Sequence, residues 1–426
     1  MVDVKLPPDS THILDKVDGN LYVSDGVTVR AKDSETVTVL GIVRCEGDCS
    51  FECNLKADSI KGRNGTIHVD GNLVVKKKVD VHRGSLEVMG RLSAREIEVD
   101  KKVMVKEDLE AEYISVGGKI IVNGNTKAVR IEVGGALEAR GDVTAEKLDV
   151  GGSAEIKGAT RVRRVDAGGS FTAESEVEIE EIHVGGAARV AGGKVKGRID
   201  VGGTFQSTRP LLFNTIDVGG KVFLVGRSEG GKIDVGGKLE VEGDLKFAEI
   251  DVGGIVEIKG SSEGKDVDVG GEISVKKNML LTGRLDVGGK AEAGEDMRCK
   301  SIDVGGAVKA KRIVADDFIE VGGRIEAIDG TKASRVTIGS KGRISGPVVA
   351  KEALLEEEAE AEDIYADYLT MEEKSKARNV YVRKAYIMRD CVITGELQYT
   401  EELKTEEKVT FGEKPKKTEN LPAPPI

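Results

Sequence analysis

A Gly-Gly doublet recurs through the middle of this chain with a period that leaves little choice of fold. Between Ile114 and Gly323 the phrase aliphatic, any residue, Val, Gly, Gly occurs thirteen times, with Ala167 standing for Val once. Its first Gly falls at 117, 134, 151, 168, 185, 202, 219, 236, 253, 270, 288, 305 and 322. Eleven of the twelve steps are therefore equal at seventeen, and the one from 270 to 288 is longer by one. A unit this short cannot enclose a core by itself and is stable only against its neighbours. The chain is therefore a solenoid.

What one unit contains follows from its apolar positions, counted from the first Gly as zero. Apolar residues recur at +3 and +5 (Leu239 and Val241), at +14 and +16 (Ile250 and Val252), and in several units at +9 and +11 (Val143 and Ala145, Leu245 and Phe247). Three two-residue alternations mean three short strands and three corners. That predicts an all-β fold, a parallel β-helix (β-solenoid) of triangular cross-section with a 17-residue turn, each strand stacked about 4.8 Å from its equivalent. The units after Gly219 and Gly253 carry Ser or Gly in the third pair, which predicts a looser third face. Gly-Gly at the first corner is expected to supply positive φ, and Gly at +7 (Gly141, Gly243, Gly260) does the same at the second. Between residues 9 and 414 only Pro210 and Pro347 occur, as a continuous hydrogen-bonded stack requires.

The flanks are less regular. Residues 1–20 are polar, include Pro7 and Pro8 and show no period, which predicts a flexible arm. Alternation begins at Leu21, so the solenoid is expected over 21–402, with regular repeats over 114–340 and irregular turns on either side. Residues 351–371 have strong helix propensity, but Ile364, Tyr368 and Leu369 are answered by Val380, Tyr386 and Ile387 close to one period later, which favours strands. The charged, Pro-rich segment 403–426 reads as a disordered tail.

Charge and composition narrow the function. Charged residues make up 33% of the chain with a net of -11, so no basic surplus exists to hold nucleic acid through its phosphates. No apolar run approaches the roughly 18 residues of a membrane span, and the N-terminus lacks a basic-then-apolar secretory pattern, so a cytoplasmic protein is expected. Cys45, Cys49 and Cys53, four residues apart, suit neither a zinc site nor a disulfide framework and read as free thiols, with Cys299 in the core. The four His (His12, His68, His82, His183) are scattered and form no triad pattern with Ser and an acid.

The most regular polar feature is an Asp before Val-Gly-Gly in nine of thirteen units, among them Asp217, Asp234, Asp251 and Asp268. Lying between two inward positions, it points outward and forms a column of carboxylates. The structural reading is an Asx-type turn in which Asp accepts backbone N–H groups of the Gly-Gly corner. A cation-binding stripe is the functional one. The structural reading is adopted, so no metal and no cofactor is expected.

The repeated phrase over 114–327, its 17-residue period and ends without an obvious cap resemble the bactofilins, a family of polymer-forming cytoskeletal proteins. The resemblance implies a right-handed triangular β-helix that polymerises end to end and serves as a scaffold for other proteins or at the membrane surface, with the chain itself as first partner and the tails as contacts to others. A terminal turn exposes strand edges and an apolar disc, which must be capped or paired. The expected end surfaces are Leu21, Val23, Val27 and Val29 at one end and Val380, Val382, Ile387, Val392 and Ile393 at the other. The reading is of a non-enzymatic structural protein. A surface or adhesive β-solenoid fibre, and a β-helix enzyme such as an acyltransferase, are the competing classes; the acyltransferase would need 18-residue turns and a placed His.

Overall fold

The computed structural model describes residues 2–425, and among them every regular element is a β-strand. Strands pair in parallel with their equivalents one turn away, forming a parallel β-solenoid in which one 17-residue repeat makes one turn. Two compact units, Met1–Asn214 and Thr215–Ile426, share this architecture.

In the first unit each face is a stack of one inward column on another. Ile114, Ile131, Leu148, Val165 and Ile182 follow one another on the face before the doublet. On the face after it Ala154, Phe171, Ala188 and Phe205 are successive partners, so large and small side chains alternate and interlock. The third face alternates in the same way through Thr126, Val143, Thr160 and Val177. Thr126 and Thr160 are 2% and 0% exposed, and their hydroxyls have no hydrogen-bond partner among the described residues. Each unmet hydroxyl costs about 1–3 kcal/mol, which the surrounding aliphatic stack absorbs.

The solenoid begins earlier than the alternation suggests. Val4–Leu6 pairs with Leu21–Val23, Thr11–Leu14 with Val27–Ala31, and Lys16–Val17 with Thr38 and Val39. Residues 4–17 are thus a complete turn rather than a flexible arm. The arm reading failed because this turn carries few apolar residues and makes its first corner with Asp9 at φ 54° instead of a glycine doublet. The turns that follow are uneven: successive members of the column Leu21, Val43, Ile60, Val79, Ile97, Ile114 are spaced irregularly, with register shifts at the corners.

The second unit carries the same column from Ile216 through Ile233, Ile250 and Val267 to Leu285, Ile302, Ile319 and Val336. Its third face stays closed at Ser228 and Ser262, both buried, because Leu245 and Met279 fill the neighbouring turns. Beyond Gly339 the turn changes shape. Val348–Leu355 is an unbroken strand across two faces and Glu360–Met371 and Lys376–Ile387 are unbroken across all three, and residues 351–371 are strand throughout their regular parts. Ladder bonds and the burial of Ala353, Leu355, Ile364 and Leu369 override the helix propensity of the Glu-rich stretch. Pairing continues past the expected end: Leu397–Thr405 pairs with Lys376–Ile387, Thr410–Phe411 with Val392–Ile393, and Lys416–Lys417 stacks in turn on Gln398 and Tyr399, so 403–417 is a further turn and not a disordered tail. Its high charge sits on outward positions, which is why the segment reads as tail.

The doublets owe their glycines to stacking, not to φ. Among the described residues no doublet glycine has positive φ, but a Cβ on Gly134 would lie 2.2 Å from the Gly117 carbonyl oxygen, and one on Gly135 would lie 2.4 Å from that of Gly118. The first corners therefore nest backbone on backbone with no room for a side chain. Within the regular repeats positive φ falls at second-corner glycines such as Gly226 at 78°, whereas the less regular turns on either side also have it at the first corner, at Gly26, Gly47 and non-glycine residues such as Asp9.

Candidate functional site

The outward Asp column is real. Asp217, Asp234, Asp251, Asp268, Asp286 and Asp303 are register partners on successive turns of the second unit, and Asp149 and Asp166 are partners in the first. In the first unit a cation two residues earlier on the same outward side answers part of their mutual repulsion, whereas Asp217, Asp251, Asp268 and Asp303 have Thr215, Glu249, Asp266 and Ser301 at that place. Lys147 reaches Asp149 at 3.0 Å and Asp166 at 3.4 Å, Arg164 holds Asp166 at 3.0 Å, and Arg198 lies 3.6 Å from Asp200. Burial works against ionisation of Asp166, but hydrogen bonds and charge from Arg164 and Lys147 outweigh it and hold the carboxyl below the ordinary Asp value.

Among the described residues the expected Asx bond to the glycine corner is not made at Asp149, Asp166 or Asp268, where both amides of the doublet donate to backbone carbonyls of the preceding turn, as they do at Gly134 and Gly135. The Gly134 amide donates to the Val116 carbonyl at 2.8 Å and the Gly135 amide to the Gly118 carbonyl at 3.0 Å, so the doublet bonds along the stack. Asx bonding belongs instead to the second corner. There Asp108 accepts from the Asn125 amide at 2.9 Å, Asn125 from Asp142 at 2.9 Å, and Asp142 from Ala159 at 2.8 Å. Among the described residues no three His, Cys, Asp or Glu side chains converge to hold a metal ion; the Asp217–Asp268 column is a line of single carboxylates.

All five cysteines are buried free thiols. Cys49 donates to the Val23 and Ser24 carbonyls at 3.7 Å, and Cys391 to the Glu372 carbonyl at 3.0 Å. The bond with Cys49 and full burial push the Cys45 thiol well up, and burial pushes Cys299 up to about 12. Thiols held in the protonated form are neither nucleophiles nor metal ligands at neutral pH.

A broad surface groove, about 730 Å³, lies in the second unit and is lined by Glu292, Lys309, Lys311, Glu326, Ile328 and Glu362. Its charged groups are alternating acids and lysines; no nucleophile–base pair lines it.

The residues expected to form the assembly surfaces are not at the ends. Leu21, Val23, Val27 and Val29 are at most 2% exposed beneath the turn made by residues 4–17. Val380, Val382, Ile387 and Ile393 are fully buried, and Val392 is half-buried, under the turn that ends at Lys417. Eight of the nine are core positions, and all nine lie at least one turn in from the ends. The open faces belong to the outermost turns: Val4 and Leu14 are half-buried at the N-terminal end, and Leu403, Val409 and Phe411 are half-buried at the C-terminal end. Their columns, continued inward, are apolar. Sequence could have found them through the register alone, since Leu403 stands one turn beyond Ala385 just as Val4 stands one turn before Leu21.

Comparison with family models, curated proteins and solved structures finds no significant match to this chain.

Proposed function

We propose that this protein is a structural scaffold that self-assembles through its terminal solenoid turns, in the manner of the bactofilins its repeat resembles. One observation carries the reading: each outermost turn ends as an open parallel edge with half-buried apolar side chains, and among the described residues neither edge is covered by a helix. Unpaired ladder groups over an apolar disc pair with another edge or are protected from doing so. A second copy offers the same spacing between strands and the same three-sided outline. The regular outward surface, in which ion pairs are local and acids are spread along columns, suits a passive spacer better than a reaction centre. A cytoplasmic location, and contacts to other proteins or to the membrane surface, belong to the same reading; no helix of the described residues is long and apolar enough to cross a membrane.

Negative-stain microscopy of the purified protein tests this, with Phe411→Asp as the partner variant. Wild-type protein is expected to form multimers, and the variant to remain single while unfolding at nearly the same temperature. Single particles for the wild type at every concentration would remove the proposal.

A further inference from the structure

The two outermost turns share a corner geometry that the middle of the chain lacks. Non-glycine residues with left-handed backbone occur at the first corner at Asp9 (φ 54°), Asn64 (63°) and Arg83 (52°), and again at Lys341 (60°), Glu358 (60°), Lys374 (59°), Asp390 (59°) and Lys408 (61°). Members of this series hand their amides to the turn that follows. Lys341 donates to the Glu357 carbonyl at 2.8 Å, Glu358 to Glu373 at 2.9 Å, Lys374 to Arg389 at 3.2 Å and Asp390 to Glu407 at 3.4 Å. In each of these the acceptor is the residue just before the next left-handed one. Asp9 obeys the same rule at the other end, donating at 3.0 Å to Asp25, which precedes Gly26 at φ 71°.

The series stops at Lys408, whose amide has no acceptor among the described residues. The carbonyl that the rule would supply is that of a residue preceding a left-handed corner. Pro8 precedes Asp9, and its carbonyl has no donor among the described residues. One end of the chain thus has a spare donor and the other a spare acceptor, each at the same corner position.

Charge follows the same order. Along this corner the side chains read Lys341, Glu358, Lys374, Asp390, Lys408, changing sign at every turn. One neighbouring pair of the column is in contact, Lys374 with Glu358 at 3.7 Å. The next member of the alternation must be an acid, and the first left-handed residue of the chain is Asp9. Counted from the corner residue, the flanks also match one to one. Val4 and Leu6 stand at the positions of Leu403 and Thr405, small Ser10 at that of Val409, and His12 at that of Phe411.

We propose that copies of this protein join with a single polarity, the last turn of one stacked on the first turn of the next, so that the left-handed corner runs on from Lys408 to Asp9 of the neighbouring copy. This rests on the self-assembly reading and adds its direction. Joining like ends would set Asp9 against Asp9 and Lys408 against Lys408, and would face the Pro8 carbonyl with another carbonyl instead of an amide.

A charge-reversal cycle decides the matter. Asp9 and Lys408 are exposed, so Asp9→Lys, Lys408→Glu and the double variant should fold as the wild type does, which thermal unfolding checks. The association constants of the four proteins are then measured by sedimentation velocity at low salt. In a single-polarity junction each single variant sets like charges together and weakens association about fivefold or more, and the double variant restores opposite charges and recovers most of the loss. If like ends join, Asp9→Lys merely exchanges one repulsive pair for another. Unchanged association in the single variants, or a double variant no better than either, overturns the polarity while leaving self-assembly standing. A wild type that does not associate at all overturns both.

Discussion

At Gly151 an added methyl would lie 2.4 Å from the Gly134 carbonyl oxygen although the φ of Gly151 is ordinary. Gly151→Ala is therefore expected to cost about 1–3 kcal/mol through overpacking, and Gly151→Asn no less, whereas a corner that needed only positive φ would accept Asn. Denaturation with urea separates the two. The left-handed corners behave oppositely. Arg83 sits at φ 52°, and Arg83→Gly should raise stability by about 1 kcal/mol by relieving the clash of its Cβ, read as a higher unfolding midpoint. At Asp166 the sign is set by a carboxyl whose folded-state pKa lies below 3.8, its ordinary value. The ionised form gains its contacts to Arg164 and Lys147 on folding, so its contribution is present above the unfolded pKa and disappears as pH falls through the lower folded one. Asp166→Asn should lower stability by less than about 1 kcal/mol at neutral pH. The gap from wild type should close in strong acid; a gap that persists there would show that the pair is not its source.

The period of an element was easier to foresee than its chemistry. Three strands and three corners per repeat were legible because inward residues such as Ile250 and Val252 recur at fixed offsets, and the Glu-rich segment 351–363 reads as strand once its repeat is weighed against propensity. The role of the doublets was not legible, since glycine serves both positive φ and close backbone stacking, and only the distance to the preceding turn tells them apart. The Asx function was foreseen for the wrong corner because Asp217 and its equivalents stand next to the glycines in sequence, whereas Asn125 and Asp142 have amides of the next turn within reach. The ends were placed one turn short because terminal turns carry polar residues, Ser10 and His12 in one and Thr405 and Lys417 in the other, where inner turns carry aliphatics. A consequence can be measured on Ile387. As a fully buried core residue it should cost about 2–5 kcal/mol when replaced by Ala, while Phe411→Ala, half-buried on the last turn, costs much less stability but weakens assembly. Equal stability losses in the two variants would return Ile387 to the surface.

For the molecule as a whole, the account makes assembly a continuation of folding. The contacts that add one turn to the next inside the chain are the same parallel pairings, nested columns and corner hydrogen bonds that would add one copy to another. Disulfide trapping between copies tests this most directly. Thr11 and Thr410 are exposed, lie two residues beyond Asp9 and Lys408, and would face each other across the junction at about the 4.8 Å strand spacing, within the roughly 4.4–6.8 Å Cα range of a disulfide. A chain carrying both Thr11→Cys and Thr410→Cys, mildly oxidised, should give a ladder of dimers, trimers and longer species on non-reducing gels that collapses on reduction. A single monomer band under conditions where the wild type associates would contradict the account.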